Sequence, residues 1–474
     1  MRKFNIFIVF FALVLFVSAV LPPRAAALAD PAVLASSALL VEVTSDKVLY
    51  DKNKDAAVDP GGAVKMMTVL LAVEAIENGQ AALTDAILAG EAAFDPSGRS
   101  GAVPKIVSGE MLTLEDLLYD AYLAGDTNAA GIIATCLAGS PAAYVERMNK
   151  QAAALGCKNT HFTNVFGTAD ATQTTSAWDQ YLIFKEALRH PLFLKIAETT
   201  AYQMQATNKS KPRALINGNL MLQYSSPYYE KNSVAGCAAS SDAGEKSMTA
   251  YSKNDNLTLI AVTFGASDIP ASDGAIVDQR FTETKRLLDW GFAGFAWKEL
   301  TEQNTAVASE KIDLAEGTDV VNLLPSDTIK AVVRSDLTDV DIKKDIVYYG
   351  ASGGRALVAP VRSGELLGQM TITVDGENCG TVSLVAASDV RLDKGKFVQK
   401  RLQDTLHNIW FQLGAAIFVI LLGGYIYLII RDRKARRGEE ELRVKKEKKM
   451  KPEKIDRKEN NEKKKLAAFL KKKD

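Results

Sequence analysis

Histidine and cysteine are the scarce residues of this 474-residue chain, with three and four copies. Cys136, Cys157, Cys237 and Cys379 lie far apart and form no CxxC pair, so the spacing of a zinc site is missing. His161, His190 and His407 are too scattered to build a metal cluster. The residues therefore call for no metal and no cofactor. Net charge is absent as well, because 57 basic and 57 acidic residues cancel. The cancellation hides a partition. Residues 431–474 hold 20 Lys+Arg against 10 Asp+Glu, and residues 1–29 hold three basic residues and no acid. The body between them is left with 34 basic and 47 acidic residues. An acidic body lacks the basic footprint that nucleic acid requires, which excludes nucleic acid as the main partner. At 47% apolar and 24% charged, the chain is neither disordered nor fibrous.

What is present is most legible at the two ends. Arg2 and Lys3 precede an apolar run over 6–17, and Ala27-Leu28-Ala29 is a small-x-small cleavage site. Residues 1–29 thus read as a secretory signal peptide, since the run is short for a bilayer span. Residues 409–430 form a second apolar run, interrupted only by Gln412. Its 22 residues suffice to cross ~30 Å of hydrocarbon. Trp410, Tyr425 and Tyr427 sit towards its ends, and Arg431, Arg433, Lys434, Arg436 and Arg437 follow it. Such a basic flank stays in the cytoplasm. The expected location is the cell membrane, crossed once, with the body outside and the tail inside. The Lys/Glu-rich tail over 431–474 reads as a solvated segment, a partner of anionic lipid, or a plain stop-transfer flank.

Between the ends, Ala38 to Tyr50 reads as two short strands about a Thr44-Ser45-Asp46 turn. Helical spacing follows Pro60 over 64–76, and continues over 112–137, 142–155 and 175–187. A buried strand is expected over 257–264 and a helix over 278–288. Strands, then helices, then strands imply an α+β sheet packed by helices. After about Leu300 the segments become short and β-branched, with turns at Ser352-Gly353-Gly354 and Asp375-Gly376. That composition implies a small all-β module, joined by a helical stem to the span.

Several segments carry a resemblance. They are "SALLVEVTSDKVLYDKN", "AAYVERMNKQAAALGCKNTHFTNVFG", "DQRFTETKRLLDWGF" and "GELLGQMTITVDGENCGTVSLVAASDV", in this order. Over about 35–395 the chain resembles the penicillin-binding D-alanyl-D-alanine carboxypeptidases of serine peptidase family S11. The resemblance implies a β-lactamase/transpeptidase-like domain over 30–298 and a small β-sandwich domain over 299–395. A juxtamembrane stem over 396–408, the transmembrane helix over 409–430 and the tail over 431–474 complete the chain.

The family's chemistry rests on a Ser-x-x-Lys, a Ser-x-Asn and a Lys-Thr-Gly motif. The lysine one turn from the serine takes its proton, and the third motif clamps the substrate carboxylate. The first motif falls in "PGGAVKMM", where Lys65 keeps the lysine but Gly62 stands at the serine. The second falls in "YLAGDTNAAGIIA", with Gly125 at the serine and Thr127 at the asparagine. A slip by one residue would put Asp126 and Asn128 there instead. The third falls in "NSVAGCAASSDAGEKSM" and reads Ala238-Ala239-Ser240. No Ser-x-x-Lys and no Lys-Thr-Gly occurs elsewhere in the chain. His161 reads as a structural loop residue.

Losing nucleophile, relay and clamp together implies a fold that has lost its chemistry. Two function classes stay open: a non-catalytic binding or scaffold protein of cell-wall metabolism, and an active serine-type carboxypeptidase using an unrecognised nucleophile such as Ser240 or Ser241. A third reading leaves the groove empty and function in the tail. The partners implied are the cell membrane and peptidoglycan stem peptides or a cell-wall protein. The groove is expected to be wide and poor in polar groups.

Overall fold

The computed structural model describes residues 28–98, 105–271, 274–349 and 357–470. The expected signal segment lies outside the described residues except for its last two. The chain divides into two compact units. One lies within Met1–Thr305, Pro325–Tyr348 and Gly368–Leu384, the other within Ala306–Leu324, Tyr349–Leu367 and Val385–Asp474.

The first unit opens with a hairpin, β1 (Ser37–Glu42) and β2 (Lys47–Lys52). A helical section follows: α1 (Val64–Glu77), α2 (Leu114–Tyr119), α3 (Thr127–Ala138), α4 (Pro141–Ala154), α5 (Ala177–Ala187) and α6 (Pro191–Glu198). Then come β3 (Ser233–Ser240), β4 (Lys246–Lys253), β5 (Thr258–Ala266) and α7 (Gln279–Gly294). The five strands form one antiparallel sheet in the order β2-β1-β5-β4-β3, with β3 at an edge.

Every residue of β1 is buried because the sheet is covered on both faces. Leu39 and Val41 pack with the helices α1 to α6, while Ala38 and Leu40 join Phe281, Leu287 and Leu288 of α7. A strand buried on both faces needs no polar alternation, which is why residues 38–41 are a continuous apolar run. Helix α1 is apolar nearly all round and buried from Val64 to Leu70, as a core helix must be. Tyr144 of α4 is tied to it, its hydroxyl donating to the carbonyl of Thr68 at 2.8 Å.

The stretch over 112–137 is largely helical, but it is broken into three pieces. Met111–Thr113 is a short strand, and a Thr113/Asp116 capping box starts α2. A five-residue π-helix, Asp120–Ala124, ends at Gly125 in the left-handed conformation, φ +69°. Asp126 then caps α3, its Oδ1 accepting from the amide of Ala129 at 2.8 Å. A left-handed glycine followed by an aspartate cap stops one helix and starts the next.

From Phe295 the chain is β-rich, with strands β6 (Phe295–Thr301), β7 (Ala308–Asp313), β8 (Val320–Pro325), β9 (Ile329–Arg334), β10 (Ile342–Tyr348), β11 (Leu357–Val358), β12 (Leu366–Val374) and β13 (Glu377–Ala386). In the first unit β6 pairs with β9, and β10 with β12, both antiparallel. In the second unit β7 pairs antiparallel with β8 and parallel with β11. Helix α8 (Lys394–His407) stops at Asn408, whose extended backbone separates it from α9 (Ile409–Leu470). The stretch Ile409–Lys448 of α9 is long and apolar enough to cross a membrane, with a mean hydropathy of 2.5 in its apolar window.

The burial of α1 gives a stability prediction. Leu70→Ala leaves a cavity among residues with no exposure, so it should cost about 2–5 kcal/mol. Urea denaturation of the detergent-solubilised protein measures this, and a cost below ~1 kcal/mol would contradict the packing described.

Candidate active-site cleft

Three segments distant in sequence meet at the N-terminus of α1. They are the Gly61–Ala63 turn, the loop ending at Gly167, and the edge strand β3. Their backbones approach too closely for side chains. A Cβ at Gly61 would lie 2.5 Å from the carbonyl oxygen of Ser240, and one at Gly167 would lie 2.3 Å from that of Gly61. Both residues also have positive φ, +47° and +76°. Asn164 shapes the loop, its Oδ1 accepting from the amides of Phe166, Gly167 and Thr168 at 2.8–3.3 Å.

Beside this junction lies a cleft of about 260 Å³. Gly62, Lys65, Gly125, Thr127, Ala238, Ala239 and Ser240 all line it. Asp126 and Asn128 do not. Asp126 caps α3, and the Oδ1 of Asn128 accepts from the amide of Asp95 at 3.0 Å. His161 is exposed and held in its loop by backbone bonds to Thr174.

Gly62 differs from its neighbour Gly61. A Cβ at Gly62 would meet Ala239 Cβ at 3.5 Å, Lys65 Nζ at 3.6 Å and Ser240 O at 3.8 Å, all ordinary contacts. The backbone does not demand glycine there. Glycine places no hydroxyl opposite the Lys65 Nζ at this position. That Nζ donates to the carbonyl of Phe166 at 3.0 Å.

The cleft is more polar than the sequence suggests, because Arg280 of α7 also lines it. Its guanidinium is occupied. Nε and Nη2 donate to Asp278 Oδ2 at 3.0 and 2.8 Å, while Nη1 donates to Ala239 O at 3.0 Å and Ser240 Oγ at 3.3 Å. A guanidinium only donates, so it cannot take the proton of Ser240. Cys237 also borders the cleft, but burial pushes its thiol up to about 11, with Lys65 and Arg280 only partly opposing. A protonated thiol is a poor nucleophile. All four cysteines are free thiols. Sequence reasoning missed Arg280 and Cys237, although both fall within segments quoted for the resemblance or its third motif.

The profile of the D-alanyl-D-alanine carboxypeptidases (Peptidase_S11) matches residues 24–268, and that of the penicillin-binding protein 5 C-terminal domain matches residues 295–391. This chain belongs to the D-alanyl-D-alanine carboxypeptidase family. It is 28% identical over 358 residues to the D-alanyl-D-alanine carboxypeptidase DacF of Bacillus subtilis, covering 75% of this chain and 86% of that one. To DacA of Escherichia coli strain K12 it is 24% identical over 375 residues, covering 78% and 86%. The fold is shared with the carboxypeptidase DacD of Francisella tularensis, at a TM-score of 0.58 and 18% identity, covering 78% and 97%. In this member of the family, glycine and alanine stand at the cleft positions Gly62, Gly125, Ala238 and Ala239.

One wall of the cleft holds a buried carboxyl group. Asp120 begins the π-helix that contributes Ala121, Tyr122 and Ala124 to the cleft. It has no exposure, and neither of its carboxyl oxygens has a hydrogen-bond partner. Arg213 stands 3.9 Å away but bonds Glu110 at 2.9 Å. Burial, followed by the Asp126 carboxylate, raises Asp120 to about 8.

Two predictions follow from this geometry. Gly62→Ser should change stability by no more than about 0.5–1 kcal/mol. Gly61→Ser and Gly167→Ser should each cost about 1–3 kcal/mol from backbone conformation alone, and more from overlap. Thermal unfolding of the three variants decides this, and equal costs would contradict the junction. As for pH, a raised carboxyl binds its proton more tightly when folded. Its stabilising contribution should fall as pH rises from the ordinary carboxylate range to about 8, then level off. Asp120→Asn should remove that decline from urea midpoints taken at pH 5–9, whereas an unchanged slope would exclude Asp120 as its source.

Proposed function

We propose that this protein is a membrane-anchored, extracytoplasmic carboxypeptidase homologue that has kept the family's cleft and lost its peptidase chemistry. It acts in cell-wall metabolism as a binding or scaffold protein. The observation that carries this reading is Gly62, which leaves Lys65 facing an unfilled position in an intact cleft. Without a nucleophile there is no acyl-enzyme route. Ala238 and Ala239 offer no cation to a substrate carboxylate, and Arg280 is already paired with Asp278. The reading takes 30–298 as the peptidase-like domain and 299–395 as the small β domain. The stem, span and tail follow at 396–408, 409–430 and 431–474. Stem peptides of peptidoglycan, or a segment of a cell-wall protein, are the ligands this cleft would hold.

The rival reading gives catalysis to Ser240 or Ser241. The bond between the Ser240 hydroxyl and a guanidinium weighs against the first, since that group is no base. Ser241 is 9% exposed, its Oγ has no hydrogen-bond partner, and it does not line the cleft.

Intact-mass spectrometry of the purified protein after penicillin treatment tests the proposal. No adduct should form, and Gly62→Ser alone should not create one, because the other two motifs are also lost. A mass increase of one ring-opened drug on the unaltered chain would overturn it. The topology has its own test. Protease added to intact spheroplasts should digest 30–408 and leave a fragment containing the span and tail. A protected body would refute the orientation.

A further inference from the structure

A second cavity, of about 310 Å³, shares no residue with the cleft. Half-buried Trp297 of β6 and the Ala331–Val332 stretch of β9 form its apolar side. Its polar rim comes from two turns. Lys47, after the β1–β2 turn, pairs with Glu377 at the start of β13 at 2.9 Å, and Asn378 stands beside them. Lys330 also lines the cavity and pairs with Glu299 at 2.6 Å. The volume lies at the small end of the ~300–1,000 Å³ range of ligand pockets.

The combination restricts what could bind. An apolar ligand would cover the ion pairs and leave their charges desolvated. A simple anion would meet the Glu377 carboxylate beside Lys47. A sugar ring matches both parts. Its C–H face can lie against the electron-rich face of the indole. Its hydroxyls point outward around the ring, where Lys47 and Lys330 donate, Glu377 accepts and the Asn378 amide does both. We propose that this cavity is a pyranose-binding site for one ring of an amino-sugar glycan. The amino-sugar identity rests on the cell-wall reading above, while the pocket geometry itself asks only for a pyranose. Such a site would hold the protein to a glycan strand while the cleft takes a peptide.

Calorimetry of the full-length protein in nanodiscs, titrated with tetra-N-acetylchitotetraose and in parallel with maltotetraose, tests this. The amino-sugar oligomer carries no stem peptide, so the titration does not depend on the cleft. Saturable binding is expected. It should weaken about tenfold in Trp297→Ala, the loss of one ring-stacking contact. Lys330→Ala, an exposed change that leaves the core alone, should weaken it severalfold and keeps the test decisive if the tryptophan variant misfolds. Absence of binding to either sugar, or binding indifferent to both variants, would overturn the site. Trp297-dependent binding of maltotetraose alone would overturn the amino-sugar assignment and leave the pyranose pocket standing.

Discussion

The close backbone approach of Gly61, Gly167 and Ser240 is the constraint on which the cleft depends. At two of these positions a single Cβ would collide with a carbonyl oxygen at 2.3–2.5 Å. The start of α1, the Asn164 loop and the edge strand are thereby held in contact by residues that take no part in chemistry. Gly62, one residue further on, lies outside this constraint. A side chain at Gly62 can therefore be present or absent while the shape persists. Structure and chemistry are separable here because adjacent glycines serve different purposes.

Electrostatics explains how the polar groups that line the cleft are engaged. Lys65 is turned to the Phe166 carbonyl, and Arg280 to Asp278 and the β3 backbone. Cys237 is protonated because burial disfavours the thiolate. Each group is neutralised or occupied by its surroundings. The buried Asp120 is different, since it lacks hydrogen-bond partners and makes the cleft wall sensitive to pH.

Legibility in the sequence followed side-chain pattern. The β1–β2 hairpin and α1 were readable because long apolar runs with turn signals have few alternatives. Strands β3 and β4 were not marked as elements. "SVAGCAAS" consists of small residues with little β-branching, and its strand state depends on pairing with β4. The break at Gly125 was missed because the apolar spacing continues across it while the backbone does not. Gly62, Gly125 and Ala238 were singled out through resemblance, and they line one cleft. Arg280 escaped because a charged residue at a helix start looks like solvated surface. Only the folded chain brings it against Ser240.

On the function proposed above, the cleft keeps its shape without a clamp for a terminal carboxylate. Calorimetry of the full-length protein with a D-Ala-D-Ala-terminated pentapeptide, free and amidated at its C-terminus, tests this most directly. Weak binding that amidation leaves unchanged is expected, since the cleft cations are already paired or bonded. Micromolar affinity that vanishes on amidation would show carboxylate recognition intact and would contradict it.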